Sequence, residues 1–116
     1  MSAKLEIYGI KNCDTMKKAR TFLDERGLAC VFHDYKVEGV TTAKLKGWSA
    51  RVGWEKLLNR AGTTFRKLPE ADKADLTEER AIALMVAQPS LIKRPVLEAG
   101  STLLVGFKPA EYERLN

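Results

Sequence analysis

Hydrophobic and polar residues alternate near the start of the chain. Within residues 4–8, Leu5 and Ile7 alternate with charged side chains, and a glycine follows. Strict alternation that ends at a glycine predicts a short strand.

The pattern then changes to a helical period. Met16, Ala19 and Leu23 recur at spacings of three and four residues, and Gly27 stands where a helix C-cap is expected. A helix is therefore predicted over residues 13–26.

Residues 29–37 are rich in aromatic and β-branched side chains and are followed by Glu38 and Gly39, which predicts a second strand. A strand, a helix and a strand in this order predict a right-handed parallel unit within residues 1–40.

The sequence pattern of residues 41–88 predicts a helical insert. The threonines at 41–42 can cap one helix, the Gly-Trp pair at 53–54 opens another, and residues 76–79 start a third that must stop by Pro89.

The last part of the chain returns to strand patterns. Residues 95–97 and 103–105 are apolar, Thr102 is β-branched, and a segment around a glycine separates the two runs, which predicts a hairpin. Pro109 suits the first position of a short final helix. We expect one α/β domain over residues 1–116, with residues 1–40 and 89–116 as its core.

Composition agrees with a single globular domain. The chain has 116 residues, of which 45% are hydrophobic and 30% are charged. It has no apolar run long enough for a membrane helix, and its first residues lack a signal-peptide pattern. A cytoplasmic protein without membrane contact is expected.

The net charge of +5 is dispersed, with Lys and Arg interleaved with Asp and Glu from Lys4 to Arg114. A dispersed charge indicates a solvated surface and gives no support to nucleic-acid binding.

Cys13 lies at the junction between the predicted first strand and the predicted helix. Unpaired N–H groups and the positive end of the helix dipole favour a thiolate there, and only the thiolate is a nucleophile. Lys11 and Lys17 add positive charge, whereas Asp14 opposes ionisation. The pKa of Cys13 should therefore be lowered.

Cys30 lies at the beginning of the second strand, while Cys13 lies beyond the end of the first. A strand spans ~17 to 20 Å, far more than the ~7 Å between Cα atoms that a disulfide allows. We expect no internal disulfide and treat Cys30 as a small hydrophobic residue. A resolving thiol must then come from outside, and glutathione is the abundant choice.

Four segments carry a resemblance to a known family: IYGIKNCDTMKKAR, HDYK, GWEKLLNRAGTTFRKL and LIKRPVL. Together they resemble the arsenate reductase-like (ArsC/Spx) family, and within it the YffB branch. The resemblance implies a thioredoxin-like fold with a helical insertion between the N-terminal βαβ unit and the C-terminal hairpin plus helix. It also implies a catalytic Cys13, an anion-binding Arg94 and a cis-proline at Pro95 that faces the sulfur.

The chain departs from the arsenate-reducing members at several positions. Gly9 replaces their His four residues before the Cys, Asn59 replaces an Arg, with Arg60 one place away, and Lys108 replaces another Arg. Lysine does not reproduce bidentate oxyanion binding, so arsenate is not favoured as substrate. Met16 stands where Spx-like regulators have their second cysteine, so that redox switch cannot form.

Other side chains near the sulfur have two interpretations. Asn12 and Thr15 supply either a helix cap or a hydrogen bond to the thiolate. Arg94 taken alone would suit a surface ion pair. His33, the single histidine, is interpreted as a structural residue with its hydrogen bonds satisfied.

Aromatic and basic residues of the insert are also open to two interpretations. Trp48 and Trp54 either line a groove or form the core of the insert. Arg60, Arg66 and Lys67 either face the thiolate or belong to solvated surface.

We hypothesise a glutathione-dependent thiol–disulfide oxidoreductase with glutathione as co-substrate, no metal, and glutaredoxin as a further partner. Its substrate would be small and oxidised or anionic, and the protein a monomer. The alternatives are arsenate reduction and a non-enzymatic, Spx-like regulator that binds RNA polymerase. The candidate site residues are Cys13 as the catalytic group, with Arg94, Pro95, Asn12, Thr15, Lys11, Arg60 and Lys108 in binding.

Overall fold

The computed structural model describes residues 5–11 and 13–115. Its strands are β1 (Leu5–Gly9), β2 (Cys30–Asp34), β3 (Val96–Ala99) and β4 (Thr102–Val105). Its helices are α1 (Asp14–Glu25), α2 (Tyr35–Glu38), α3 (Thr42–Val52), α4 (Trp54–Leu57), α5 (Thr63–Arg66), α6 (Glu70–Lys73), α7 (Glu78–Ala87) and α8 (Pro109–Tyr112). A 3₁₀ turn covers Pro89–Leu91.

The four strands form one sheet in the order β2-β1-β3-β4. β1 pairs with β2 in parallel, while β3 is antiparallel to both β1 and β4. Helices α2 to α7 all lie between β2 and β3 in the chain. The predicted α/β, thioredoxin-like fold with a helical insertion is confirmed.

One face of the sheet carries the hydrophobic core that α1 covers. Ile7 of β1 packs there with Met16, Ala19 and Leu23 of α1, and these four side chains are almost completely buried. Helix α1 ends because Gly27 adopts a φ of 69°, a left-handed conformation that glycine accepts without steric cost.

The second strand is shorter than predicted. Residues 29–37 were expected to be extended, but β2 ends at Asp34 and the chain turns into α2. The Asp34 carboxylate accepts a hydrogen bond of 2.8 Å from the Lys36 N–H, and such a local bond competes with the sheet ladder. Tyr35, at 1% exposure, is buried at the first position of the turn.

The chain divides into two compact units, residues 1–38 with 94–116 and residues 39–93. The second unit is helical, and its two longest helices begin as predicted. Thr41 accepts a cap hydrogen bond of 3.1 Å from the Lys44 N–H, and Thr77 one of 3.2 Å from the Arg80 N–H. That residues 1–116 form a single domain stays a prediction.

Residues 89–93 belong to the second unit and not to the sheet. The Lys93 N–H donates to the Leu57 carbonyl at 2.8 Å, and Leu58 forms a bridge with Ile92. Trp48, at 2% exposure, lies in the core of this unit, in agreement with the structural interpretation of that side chain.

Candidate active site

Cys13 is the N-cap residue of α1 and lies just beyond the end of β1. Its carbonyl accepts the first helical hydrogen bond, 3.0 Å from the Lys17 N–H. Its side chain accepts no cap hydrogen bond. Because an N-cap side chain faces the N–H groups of the second and third helical residues, the sulfur is next to Thr15 and Met16.

Several groups act on the pKa of Cys13 in opposite directions. Partial burial raises the pKa, and it is the largest single effect. The backbone N–H of Met16, a hydrogen bond from Arg94, the backbone N–H of Thr15 and the charge of Arg94 all lower the pKa. Together these donors outweigh burial, so the pKa lies below its ordinary value, as predicted.

Arg94 reaches the sulfur because of the strand register. Tyr8 pairs with Val96, so the residues before β3 continue past the end of β1, on the side where Cys13 lies. The Arg94–Pro95 peptide bond is cis, as the family resemblance implies. Pro95 is buried, and its carbonyl accepts a hydrogen bond of 2.8 Å from the Gly106 N–H.

Tyr35 is a neighbour of Arg94 that the sequence argument did not single out. Its hydroxyl is buried and has no hydrogen-bond partner among residues 5–11 and 13–115. Burial raises the pKa of this phenol, although the Arg94 charge opposes the rise, so the phenol is neutral. The signal in the sequence is the HDYK segment, but the pattern of residues 29–37 predicts that its Tyr lies in a strand.

Cys30 lies at the other end of the sheet from Cys13. It is the first residue of β2 and pairs with Leu5 at the start of β1. Burial raises the pKa of the Cys30 thiol, the charge of Arg20 opposes the rise, and Asp24 adds to it. Both cysteines are free, in agreement with the expectation of no disulfide.

Several predicted binding residues occupy exposed positions. Lys11 is exposed in the turn after β1, and Lys108 is exposed at the N-cap of α8. Thr15 is half-buried in the first turn of α1. Asn12 lies outside the described residues. The binding roles of all four stay predictions.

Arg60 lies in the helical unit, where its guanidinium is 5.4 Å from the centre of the Trp54 ring. With Asn59 and Lys93 it lines an open cleft of about 340 Å³. Arg66 donates to the Ala61 carbonyl at 3.0 Å, which is a local structural contact. A role of Arg60 in substrate binding stays a prediction.

His33 has both ring nitrogens engaged, as the structural interpretation requires. Nδ1 lies 2.8 Å from a Glu38 carboxylate oxygen and Nε2 lies 3.0 Å from one of Glu6. The ring stacks on Tyr8 at 4.5 Å between centroids. Burial lowers the pKa of His33, but the two carboxylates outweigh burial and raise it.

Metal-binding clusters and membrane-spanning helices are both absent from the described part of the chain. Residues 5–11 and 13–115 contain no cluster of three or more His, Cys, Asp or Glu side chains that could hold a metal ion. None of the helices in those residues is long and apolar enough to cross a membrane.

Residues 8–115 match the model of the ArsC family. The solved structure of the YFFB protein is 63% identical, with a TM-score of 0.93, and the match covers 95% of this chain and 96% of that one. An uncharacterised protein of Haemophilus influenzae is 38% identical over 109 residues, 94% of this chain and 96% of its own. The global transcriptional regulator Spx 1 of Lactococcus lactis is 26% identical over 120 residues, 95% of this chain and 93% of its own.

Proposed function

The chain belongs to the ArsC family, and we propose that it is a glutathione-dependent thiol–disulfide oxidoreductase whose nucleophile is Cys13. The observation that carries this proposal is the sulfur at the start of α1, with its pKa lowered by two N–H groups and by Arg94. A sulfur that is ionised and partly exposed is a reactive one.

The first step is an attack on a disulfide. The Cys13 thiolate forms a bond to one sulfur of a substrate R–S–S–R′, the S–S bond breaks, and R′–S⁻ leaves with the electron pair and takes a proton from water. The product is a mixed disulfide between Cys13 and R. No second thiol is within reach, because Cys30 pairs with Leu5 at the far end of β1.

Two glutathione molecules then complete the cycle. The first glutathione thiolate attacks the Cys13 sulfur and releases R–S⁻, leaving glutathione bound to Cys13. The second attacks the glutathione sulfur of that disulfide and releases the Cys13 thiolate and oxidised glutathione. In sum, two glutathione molecules are oxidised and one substrate disulfide is reduced to two thiols.

Arg94 has two roles in this proposal. Its guanidinium stabilises the thiolate in the resting protein, and it binds an anionic group of the substrate or a glutathione carboxylate when one is present. Such a cation also favours the thiolate when Cys13 is the leaving group. Pro95, Lys11, Thr15 and Asn12 would complete the binding surface.

The setting that we propose is the cytoplasm, where glutathione is abundant. The protein would act as a monomer, with glutaredoxin as an alternative electron donor, and its substrate is a small oxidised or anionic molecule. Lys108 is proposed as an additional cation for that molecule, and the binding role of Arg60 stays a prediction.

The test compares the two cysteines. Reduction of a glutathione mixed disulfide is followed with wild type, Cys13→Ser and Cys30→Ser, and mass spectrometry after exposure to oxidised glutathione identifies the modified peptide. Turnover should be abolished by Cys13→Ser and preserved in Cys30→Ser, with the adduct on Cys13. Equal loss in both variants, or an adduct on Cys30 alone, would contradict the proposal.

A second candidate is a regulator, because the Lactococcus lactis relative is a global transcriptional regulator. Docking on RNA polymerase would not need the sulfur. Capture of purified polymerase by Cys13→Ser as efficiently as by wild type, together with absent turnover in wild type, would favour this candidate. Arsenate reduction is the remaining alternative and is tested by adding arsenate with glutathione and glutaredoxin.

A further inference from the structure

Gly9, the last residue of β1, leaves space that Met16 fills. A Cβ atom added at Gly9 would overlap the Met16 Sδ and lie 2.8 Å from its Cε. Gly9 pairs in register with Asp34 and is not among the glycines with positive φ. The glycine at this position therefore matters for the space that it leaves to Met16 and not for its backbone conformation.

Met16 connects that space to the candidate nucleophile. Its side chain is 1% exposed and is part of the core shared by β1 and α1. Its backbone N–H is the strongest of the groups that favour the Cys13 thiolate. One residue thus anchors the first turn of α1 to the strand and also carries a backbone N–H that lowers the pKa of Cys13.

We propose that Gly9 and Met16 are a pair of positioning residues, in which the thioether seated against Gly9 holds the Met16 N–H towards the Cys13 sulfur. This inference rests on the proposed role of Cys13 as the nucleophile. Neither residue touches the substrate, and both act through the orientation of the first helical turn.

The close packing around Met16 explains why its contact with Gly9 would set the orientation of the first turn of α1. Interiors are close-packed, so a side chain displaced from a buried site moves its neighbours instead of entering empty space. A methyl group at position 9 would displace the Met16 thioether, and the displacement would be passed to the backbone of the first turn of α1. A hydrogen bond to the sulfur weakens steeply when its donor is misaligned.

The test uses a Cys30→Ser background, in which Cys13 is the one remaining cysteine of the two. The ultraviolet absorbance of the thiolate is measured against pH for Gly9→Ala, Met16→Ala and the double variant. Gly9→Ala should shift the Cys13 titration to higher pH and slow its alkylation at neutral pH. Gly47→Ala is the matched control, because nothing lies within 4 Å of an added Cβ there.

The double variant distinguishes positioning from general damage. Without the thioether, the alanine at position 9 has nothing to overlap, so the double variant should titrate like Met16→Ala alone. Thermal unfolding of each variant is recorded in parallel, and the double variant carries the test if Gly9→Ala does not fold.

The positioning role of Gly9 and Met16 and the proposed function of Cys13 would be overturned by different results. A Gly9→Ala protein that is less stable but keeps the wild-type Cys13 titration, or a double variant whose shifts simply add, would overturn the positioning role. A Cys13 that titrates at or above the ordinary cysteine value before any substitution would instead overturn the proposed function.

Discussion

The groups around the Cys13 sulfur act on its pKa in opposite directions. Burial alone would raise the pKa of Cys13, as it raises the pKa of Cys30. The two cysteines differ in their hydrogen-bond donors. The start of α1 supplies two N–H groups to Cys13, and Arg94 supplies a charged donor. The lowered pKa of Cys13 therefore depends on its position as an N-cap more than on its exposure.

Removing the Arg94 guanidinium should affect both the sulfur and the substrate. Arg94→Ala should raise the pKa of Cys13, because a hydrogen bond and a positive charge are lost. A hydrogen bond to a charged group contributes about 1.5 to 3 kcal/mol, so KM for an anionic substrate should rise by about tenfold or more. Steady-state kinetics and alkylation at several pH values measure the two effects.

Arg20→Ala is the control for Arg94→Ala. The Arg20 charge acts on Cys30, so its removal should raise the pKa of Cys30 and leave Cys13 unchanged. Arg94→Ala with unaltered KM and unaltered Cys13 alkylation would mean that the guanidinium serves neither the sulfur nor the substrate.

At the scale of elements, His33 joins three of them. It lies on β2, and its nitrogens contact Glu6 of β1 and Glu38 at the end of α2. Protonation of the ring therefore strengthens the connection between the sheet and α2. The His33 and Glu38 side chains are 23% and 50% exposed, so solvent screens the pair and limits its contribution to about 1 kcal/mol or less.

The raised pKa of His33 fixes the sign of a pH effect. The stabilisation is fully present below the pKa of an unfolded histidine, about 6.5, and is lost as the pH rises through the higher folded-state value. Glu38→Gln should lower the folded-state pKa, and it should reduce the loss of unfolding free energy over that pH range. Ring-proton NMR of the single histidine and denaturant titrations measure both quantities.

Glu6→Gln is the companion variant, with a smaller expected decrease in the His33 pKa because Glu38 exerts the stronger effect. High salt should reduce the shift in wild type. A His33 pKa that both substitutions leave in place would exclude the carboxylates as its cause.

The elements that the sequence predicted best are those with local signals. Threonine caps specify the starts of α3 and α7, and an apolar period with a closing glycine specifies α1. The end of β2 was missed because the Asp34 carboxylate competes with the sheet for a backbone N–H. Helices such as α5 and α6, of four residues each, are too short to show a period.

At the scale of the whole molecule, the sequence predicted the site only in part. The position of Cys13 follows from the change of period at the end of β1, and Arg94 followed from the family resemblance. Tyr35 beside Arg94 and Met16 against Gly9 were not predictable, because those contacts arise only when β1, β3 and the helices are brought together.

The pH dependence of alkylation at the two cysteines of the wild-type protein shows directly whether the start of α1 lowers the pKa of Cys13. Both sulfurs are modified in the same sample, and mass spectrometry reports each peptide separately. We expect Cys13 to react with a midpoint below the ordinary cysteine pKa and Cys30 with a midpoint above it. Equal midpoints, or a Cys13 that reacts only at higher pH than Cys30, would contradict this expectation.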